Sequence, residues 1–270
     1  MGNRIDWQAV TAEAATIVRS YDTSVTLRQL FYRLVSVQRL PNTQGAYKRL
    51  SELTAQARRA GWFPALIDRG RKIHEYQTFG GTDEALTWLS RIYRLDRTED
   101  QDVSLYLGVE KAGMVVQLQS WFGDLGIPVL ALGGYSSQTY VDDVVTHAED
   151  RDRPAVLLYA GDFDPSGEDI DRDFEDRTEC WSKVIRVALS AEQVDEYGLP
   201  PNPGKATDSR AAAFIERHGE LVQVELDALD PDDLRALFQS AVDRFWDTSM
   251  YEAVLRHEDA DRARLRRIAS

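Results

Sequence analysis

Residues 154–167 read PAVLLYAGDFDPSG, and this stretch decides the fold. Residues 154–161 are short, almost wholly apolar and bounded by turn-forming residues, which is typical of a buried β-strand. Asp162 and Asp164 follow at the carboxyl end of that strand, just before a segment with helical character. Ligands of open α/β sheets usually bind at this edge. The stretch therefore predicts a strand-to-helix junction that carries two carboxylates.

The two carboxylates predict a metal site. Side chains two residues apart on an extended segment point the same way, and adjacent anions repel each other unless a cation lies between them. Hard oxygen ligands of this kind suit Mg²⁺. Glu110 ends a second predicted strand, residues 103–109, and becomes a third ligand if the two strands lie side by side.

Two other interpretations of the acidic pair stay open at this level. Asp164 is a suitable N-cap for a helix that begins at Pro165, which would explain one of the two acids. The spacing from Asp162 to Asp173 also matches part of an EF-hand loop. The preceding strand, the internal proline and the absence of the usual final Glu count against calcium binding.

From residue 103 onward, predicted strands and helices alternate, which predicts an α/β fold with a mainly parallel sheet. The predicted strands are residues 103–109, 127–132, 154–161 and 183–189, and the helices between them are residues 112–125, 137–149 and 166–178. Three more helices and one short strand are expected at residues 209–218, 232–246, 251–268 and 222–226.

The first hundred residues follow a different pattern. Helices are expected at about residues 4–20, 26–37 and 46–60, followed by a strand-like segment over residues 61–70. This order predicts a winged-helix variant of the helix-turn-helix. Residues 1–98 hold 15 Lys and Arg against 9 Asp and Glu, although the whole chain has a net charge of −13. A basic N-terminal region is typical of nucleic-acid binding. The alternative interpretation is a solvated charged surface, which would have the same composition.

Five basic residues in this region are expected to contact the DNA backbone, which gives affinity without base specificity. They are Arg58, Arg59, Arg69, Arg71 and Lys72.

Tyr32 stands apart on the second predicted helix. Helical geometry gathers the apolar residues of 27–35 on one face, and it turns Tyr32 away from that face with Arg28 one turn earlier on the same side. An exposed phenol beside a guanidinium can attack a phosphodiester once it is deprotonated. The competing interpretation is an amphipathic tyrosine packed under a neighbouring element.

Composition excludes several classes of protein. Cys180 is the only cysteine, which rules out an internal disulfide and fits a reducing cytoplasm. The four histidines are scattered without the spacing of zinc ligands. No apolar run approaches the length of a membrane span, and residues 1–19 lack the apolar core of a secretory signal. We therefore expect a cytoplasmic protein without a membrane partner.

Together these motifs resemble the A subunit of archaeal topoisomerase VI and the related meiotic double-strand-break protein. The family's Arg-Asp-hydrophobic-(Phe/Tyr)-Tyr motif is similar to residues 28–32, which read RQLFY, and its Val-Glu-Lys motif is similar to residues 109–111. The family's Toprim aspartates correspond to Asp162 and Asp164. In length the chain is most similar to the compact stand-alone relatives called Mini-A.

The resemblance implies two domains. A winged-helix DNA-binding domain with the tyrosine would span residues 1–98, and a Toprim domain with a C-terminal helical extension would span residues 99–270. The sequence departs from the family pattern in two places, because Gln29 replaces an Asp and Ser166 replaces a Tyr.

The resemblance also implies an activity, namely Mg²⁺-dependent cleavage of double-stranded DNA by a homodimer. Tyr32 would attack a backbone phosphate and form a 5′-phosphotyrosyl link, with Arg28 and Glu110 as further catalytic residues. Glu110, Asp162 and Asp164 would hold the metal. An ATPase or other accessory subunit, which nothing in this chain resembles, is left open as a partner.

Two alternatives remain beside this hypothesis. A hydrolytic Toprim nuclease would keep the metal site and use water as the nucleophile. A non-catalytic winged-helix DNA-binding protein would use the carboxylates only to stabilise its structure.

Overall fold

The computed structural model describes residues 5–21, 25–67, 75–203 and 208–268. The helices are α1 (Trp7–Ser20), α2 (Leu27–Ser36), α3 (Gln44–Arg59), α4 (Thr82–Ile92), α5 (Ala112–Phe122), α6 (Gln138–Glu149), α7 (Pro165–Thr178), α8 (Ala191–Glu196), α9 (Ala211–His218), α10 (Pro231–Val242) and α11 (Thr248–Ile268). The strands are β1 (Ser104–Val109), β2 (Val129–Ala131), β3 (Ala155–Ala160), β4 (Trp181–Ala188), β5 (Asn202–Pro203) and β6 (Val222–Gln223). Single 3₁₀ turns lie at Gly123–Leu125 and Leu226–Ala228. Among these residues, no helix is both long and apolar enough to cross a bilayer.

The main sheet is parallel and has the strand order β2-β1-β3-β4. Every residue of β1 and β3 is buried, which matches their nearly continuous apolar sequences. The register between β1 and β2 sets Leu107 opposite Val129. The predicted α/β fold with a mainly parallel sheet is therefore confirmed.

Several boundaries differ from the expectation, for local reasons. The strand predicted at residues 222–226 is only two residues long, since Val224 instead bridges Phe163 and Leu226 begins a 3₁₀ turn. Helix α8 was not predicted. It begins at a capping box formed by Ser190 and Gln193.

Contacts within the chain define two compact units, each assembled from separate segments. The first comprises Met1–Lys72, Ala160–Arg172 and Arg186–Leu237, and the second comprises Ile73–Tyr159, Asp173–Ile185 and Phe238–Ser270. The domain boundary expected after residue 98 stays a prediction.

The first unit is built on α1, α2 and α3, whose apolar faces share one core that includes Ala14, Leu34 and Leu50. Helix α2 begins at a capping box. The Thr26 hydroxyl accepts a hydrogen bond from the Gln29 N–H at 3.2 Å, and the Gln29 side chain accepts one from the Thr26 N–H at 3.0 Å. Gln29 therefore has a structural role at the helix start.

The wing of the expected winged helix is not confirmed. In residues 61–67, the described part of the strand-like segment, a single parallel bridge joins Ile67 to Thr26. The three predicted helices are present. Their assignment to a winged-helix domain stays a prediction.

The second unit contains most of the main sheet and a buried ion pair. Glu258 on α11 is fully buried and accepts hydrogen bonds from Arg97 at 2.6 and 3.0 Å and from the Leu95 N–H at 3.1 Å. Arg262 lies 2.9 Å from the same carboxylate. These bonds offset the cost of burying the charge and hold α11 in place.

Candidate functional site

Asp162 is a buried carboxylate at the end of β3, with only 5 % of its surface exposed. Its Oδ1 accepts a hydrogen bond from the Leu226 N–H at 2.8 Å. The neighbouring Phe163 pairs with Val224 in an isolated antiparallel bridge. The segment 224–226 thus fixes the position of Asp162. The Asp162 carboxylate has a structural partner, the Leu226 N–H, whatever else it binds.

Asp164 caps the helix that follows. Its Oδ1 accepts a hydrogen bond from the Gly167 N–H at 2.6 Å, and α7 begins at Pro165. The capping interpretation from sequence is therefore confirmed. The EF-hand interpretation is wrong, because Asp173 lies in the same helix and not in a calcium-binding loop.

Gly167 allows α7 to approach the end of β3 closely. A Cβ at this position would lie 2.2 Å from the carbonyl oxygen of Asp162. The backbone at Gly167 and the backbone carbonyl of Asp162 cannot move apart as easily as the end of a flexible side chain could. Only glycine therefore fits the third position of this helix while Asp162 keeps its place.

Arg186, which the sequence did not single out, holds the loop that carries Asp162. Its guanidinium donates to the carbonyl oxygens of Asp162 at 2.7 Å and Leu189 at 2.9 Å, and to the Asp171 carboxylate at 2.8 Å. Burial raises the pKa of Asp171, while Arg186 opposes that shift. The charge on Arg186 makes the acid-rich junction less negative.

Glu110 follows β1 in the second unit and is half-buried. A Cβ at Gly133, just after β2, would lie 2.6 Å from the Glu110 carbonyl oxygen. Glycine at position 133 is therefore needed for the close approach of two backbone segments.

The three predicted metal ligands follow neighbouring strands of the sheet, since β1 lies beside β3. Asp162 and Asp164 belong to the first unit and Glu110 belongs to the second. Within the described ranges, no group of three or more His, Cys, Asp or Glu has the geometry of a metal site. The donor chemistry of the three carboxylates nevertheless suits a hard divalent cation.

Arg28 and Tyr32 form a pair on α2. The Arg28 Nη2 lies 3.5 Å from the Tyr32 hydroxyl, and its guanidinium carbon lies 5.5 Å from the centre of the Tyr32 ring. The ring is half-buried and packs edge-to-face on Phe31. Tyr32 thus combines the two alternatives considered from sequence, because it packs on the core and also contacts Arg28.

The pair opens onto a cleft of about 470 Å³ in the first unit. The cleft is lined by Arg28, Phe31, Tyr32, residues 42–44 and Tyr47. Because Tyr32 lines this opening, it is reachable from outside the helical core.

The turn at Leu226–Ala228 joins the two halves of the candidate site within the first unit. It packs against α2 and also holds Asp162 through the Leu226 N–H. Burial lowers the pKa of Arg28, but the Tyr32 hydroxyl, Glu225 and Asp227 outweigh it and raise that pKa. Arg28 therefore lies in the electrostatic field of two carboxylates from the segment that ends in this turn.

Arg33, the residue after Tyr32, is paired with Asp230 at 2.5 Å. Burial raises the pKa of the adjacent Tyr21 to about 12, with Arg33 opposing and Asp230 adding to the shift. This ion pair ties α2 to the start of α10.

The predicted DNA-contacting residues are only partly described. Arg58 and Arg59 are exposed in the last turn of α3. Arg69, Arg71 and Lys72 lie outside the described residues.

Comparison with known proteins adds no assignment. No protein-family model matches the chain, and no curated protein matches it.

Proposed function

We propose that the chain is a Mg²⁺-dependent DNA-cleaving enzyme similar to the A subunit of type IIB topoisomerases. The observation that carries the proposal is the Arg28–Tyr32 pair at the open cleft, in a unit that also holds the buried Asp162 and Asp164. The pair places a nucleophilic phenol oxygen beside a guanidinium that can bind a phosphodiester.

The proposed reaction is a transesterification. The Tyr32 oxygen attacks the phosphorus and its proton passes to solvent water, while the bond from phosphorus to the 3′-oxygen breaks. The products are a 5′-phosphotyrosyl link and a strand with a free 3′-hydroxyl. Arg28 stabilises the negative charge that develops on the phosphate, and Glu110 donates the proton that the 3′-oxygen takes up.

Mg²⁺ would be held by Glu110, Asp162 and Asp164. When bound, it supplies positive charge next to the anionic phosphate. The proposal requires Glu110 to lie near the two aspartates. Double-stranded DNA as substrate, a homodimer that makes two offset nicks, and an accessory subunit belong to the same proposal.

The test is incubation of the purified protein with supercoiled plasmid and Mg²⁺, followed by denaturing gels with and without protease treatment. We expect cleaved DNA that enters the gel only after protease treatment. Tyr32→Phe should abolish this product. The matched control, Tyr76→Phe, changes a tyrosine that is 96 % exposed and should leave it intact.

Two other outcomes would overturn the proposal. Cleavage that persists in Tyr32→Phe without protein-linked DNA would identify a hydrolytic nuclease. DNA binding without any cleavage would identify a non-catalytic DNA-binding protein. A specific observation favours this second candidate, because Asp162 and Asp164 both have structural partners, the N–H groups of Leu226 and Gly167.

A further inference from the structure

The cleft beside Tyr32 has a lining suited to one class of ligand. Its seven side chains are one arginine, three aromatic residues, two amides and one threonine, and none is a carboxylate. The amides belong to Asn42 and Gln44, which are exposed at the start of α3. The volume of about 470 Å³ is within the range of small-molecule sites.

This set of groups matches a nucleotide within a DNA strand. Arg28 offers a charged donor for a phosphate. Tyr47, set edge-to-face on Phe31 at 5.3 Å, presents an aromatic surface for a sugar or base. The amides of Asn42 and Gln44 provide both donors and acceptors, which the edges of bases require.

The composition of the segment that carries the cleft agrees with this ligand. Within residues 26–67, the described part of this segment, there are seven Lys and Arg and one acid, Glu52. Glu225 and Asp227 act on Arg28 electrostatically but do not line the cleft. An anionic strand would therefore meet a polar cleft that contains one guanidinium and no carboxylate, in a segment rich in basic residues.

We propose that this cleft seats the nucleotide adjacent to the scissile phosphate, with Asn42 and Gln44 contacting its base or sugar. The inference rests on the proposed function and deepens it, since it assigns the part of the DNA that the Tyr32 site recognises. Asn42 and Gln44 would then determine preference at that nucleotide, while Arg28 contacts the phosphate.

The test measures binding separately from cleavage. A fluorescent DNA duplex is titrated with the full chain carrying Tyr32→Phe, and anisotropy gives the affinity. The titration is repeated with a protein that carries Gln44→Glu as well as Tyr32→Phe. This second substitution keeps the size of the side chain and places a negative charge in the cleft. We expect about fivefold weaker binding, the effect of one exposed unfavourable charge contact.

A matched control is Gln8→Glu, the same change at an exposed position on α1, which should leave affinity within about twofold. Gln44→Glu should not destabilise the fold, because an acid in the first turn of α3 interacts favourably with the helix dipole. Weakened binding would therefore report on the cleft and not on unfolding. Asn42→Ala in the chain that retains Tyr32 should change the positions at which the DNA is cleaved.

The outcomes separate the two proposals. Equal affinity of the Gln44→Glu and Gln8→Glu proteins would overturn the cleft assignment even if Tyr32-linked DNA forms. Weaker binding by Gln44→Glu without covalent product in any variant would support the cleft as a DNA site and reject the cleavage chemistry. Failure of the Tyr32→Phe protein to bind the duplex would reject both.

Discussion

The Asp162 carboxylate accepts a 2.8 Å hydrogen bond from the backbone N–H of Leu226, a residue 64 positions later in the chain. The same turn packs against α2, which carries Arg28 and Tyr32. The Asp162 carboxylate, predicted as a metal ligand, therefore also binds the turn that packs against the helix of the candidate nucleophile. Substitutions at Asp162 will change structure and chemistry together unless they are chosen to separate the two.

Asp162→Asn should separate the structural role of Asp162 from its role as a metal ligand. The Asn side chain keeps an acceptor for the Leu226 N–H but removes the charge, so we expect near-normal stability and loss of cleavage. Asp162→Ala removes the acceptor and leaves a buried donor without its partner, which should cost about 1–3 kcal/mol. Urea unfolding of both variants, beside the plasmid assay, gives the comparison. Equal destabilisation by the two substitutions would contradict the role assigned to this bond.

Asp164 permits a similar separation through helix capping. Asp164→Ala should lower the free energy of unfolding by about 1 kcal/mol, because the Gly167 N–H loses its cap. Asp164→Ser retains a capping oxygen and should recover most of that stability. Cleavage should be lost in both variants, since neither supplies a carboxylate for the metal. An active Asp164→Ser protein would show that capping is its only function.

Gly167→Ala should destabilise the protein, whereas Gly45→Ala should not. The added methyl at position 167 would meet the Asp162 carbonyl oxygen at 2.2 Å, and at position 45 it meets nothing within 4 Å. Forced displacement of backbone should cost about 1–3 kcal/mol, while alanine in α3 should add up to about 1 kcal/mol. Thermal unfolding of the two variants against the parent chain measures the contrast.

The buried pair of Arg97 and Glu258 should make stability depend on acidic pH. Hydrogen bonds from Arg97 lower the pKa of Glu258 below its ordinary value of 4.5, against the opposing effect of burial. The folded state therefore binds this proton less tightly than the unfolded state does. The contribution is complete above the unfolded pKa and is lost as the pH falls through the folded pKa.

Glu258→Gln should cost about 3 kcal/mol at pH 7, because buried Arg97 would lose its buried counter-ion and keep only the exposed carboxylate of Asp124 at 3.7 Å. The difference in the free energy of unfolding between this variant and the parent chain should shrink as the pH falls below 4.5. Glu252→Gln, an exposed change on the same helix, should have almost no effect at either pH. Urea unfolding at pH 7 and at pH 4 gives the four comparisons, and a constant deficit at Glu258 would reject the pH linkage.

Much of the fold was predictable because its signals are local. The apolar run before Asp162 identified β3, and the alternation of strands and helices identified the parallel sheet. The caps at Thr26 and Asp164 follow from residue type and position alone. The shortened strand at Val222 was missed, since its continuation depends on a bridge between Val224 and Phe163, which are far apart in sequence.

The sequence by itself determined which residues have the chemistry for the candidate site, because carboxylates, a tyrosine and an arginine one helical turn apart are visible in the chain. Only the tertiary structure decided what surrounds them. It brought the Leu226 N–H to Asp162, Arg186 to the loop behind that acid, and two carboxylates into the field of Arg28. These contacts join residues tens or hundreds of positions apart, so packing selects them and no local pattern encodes them.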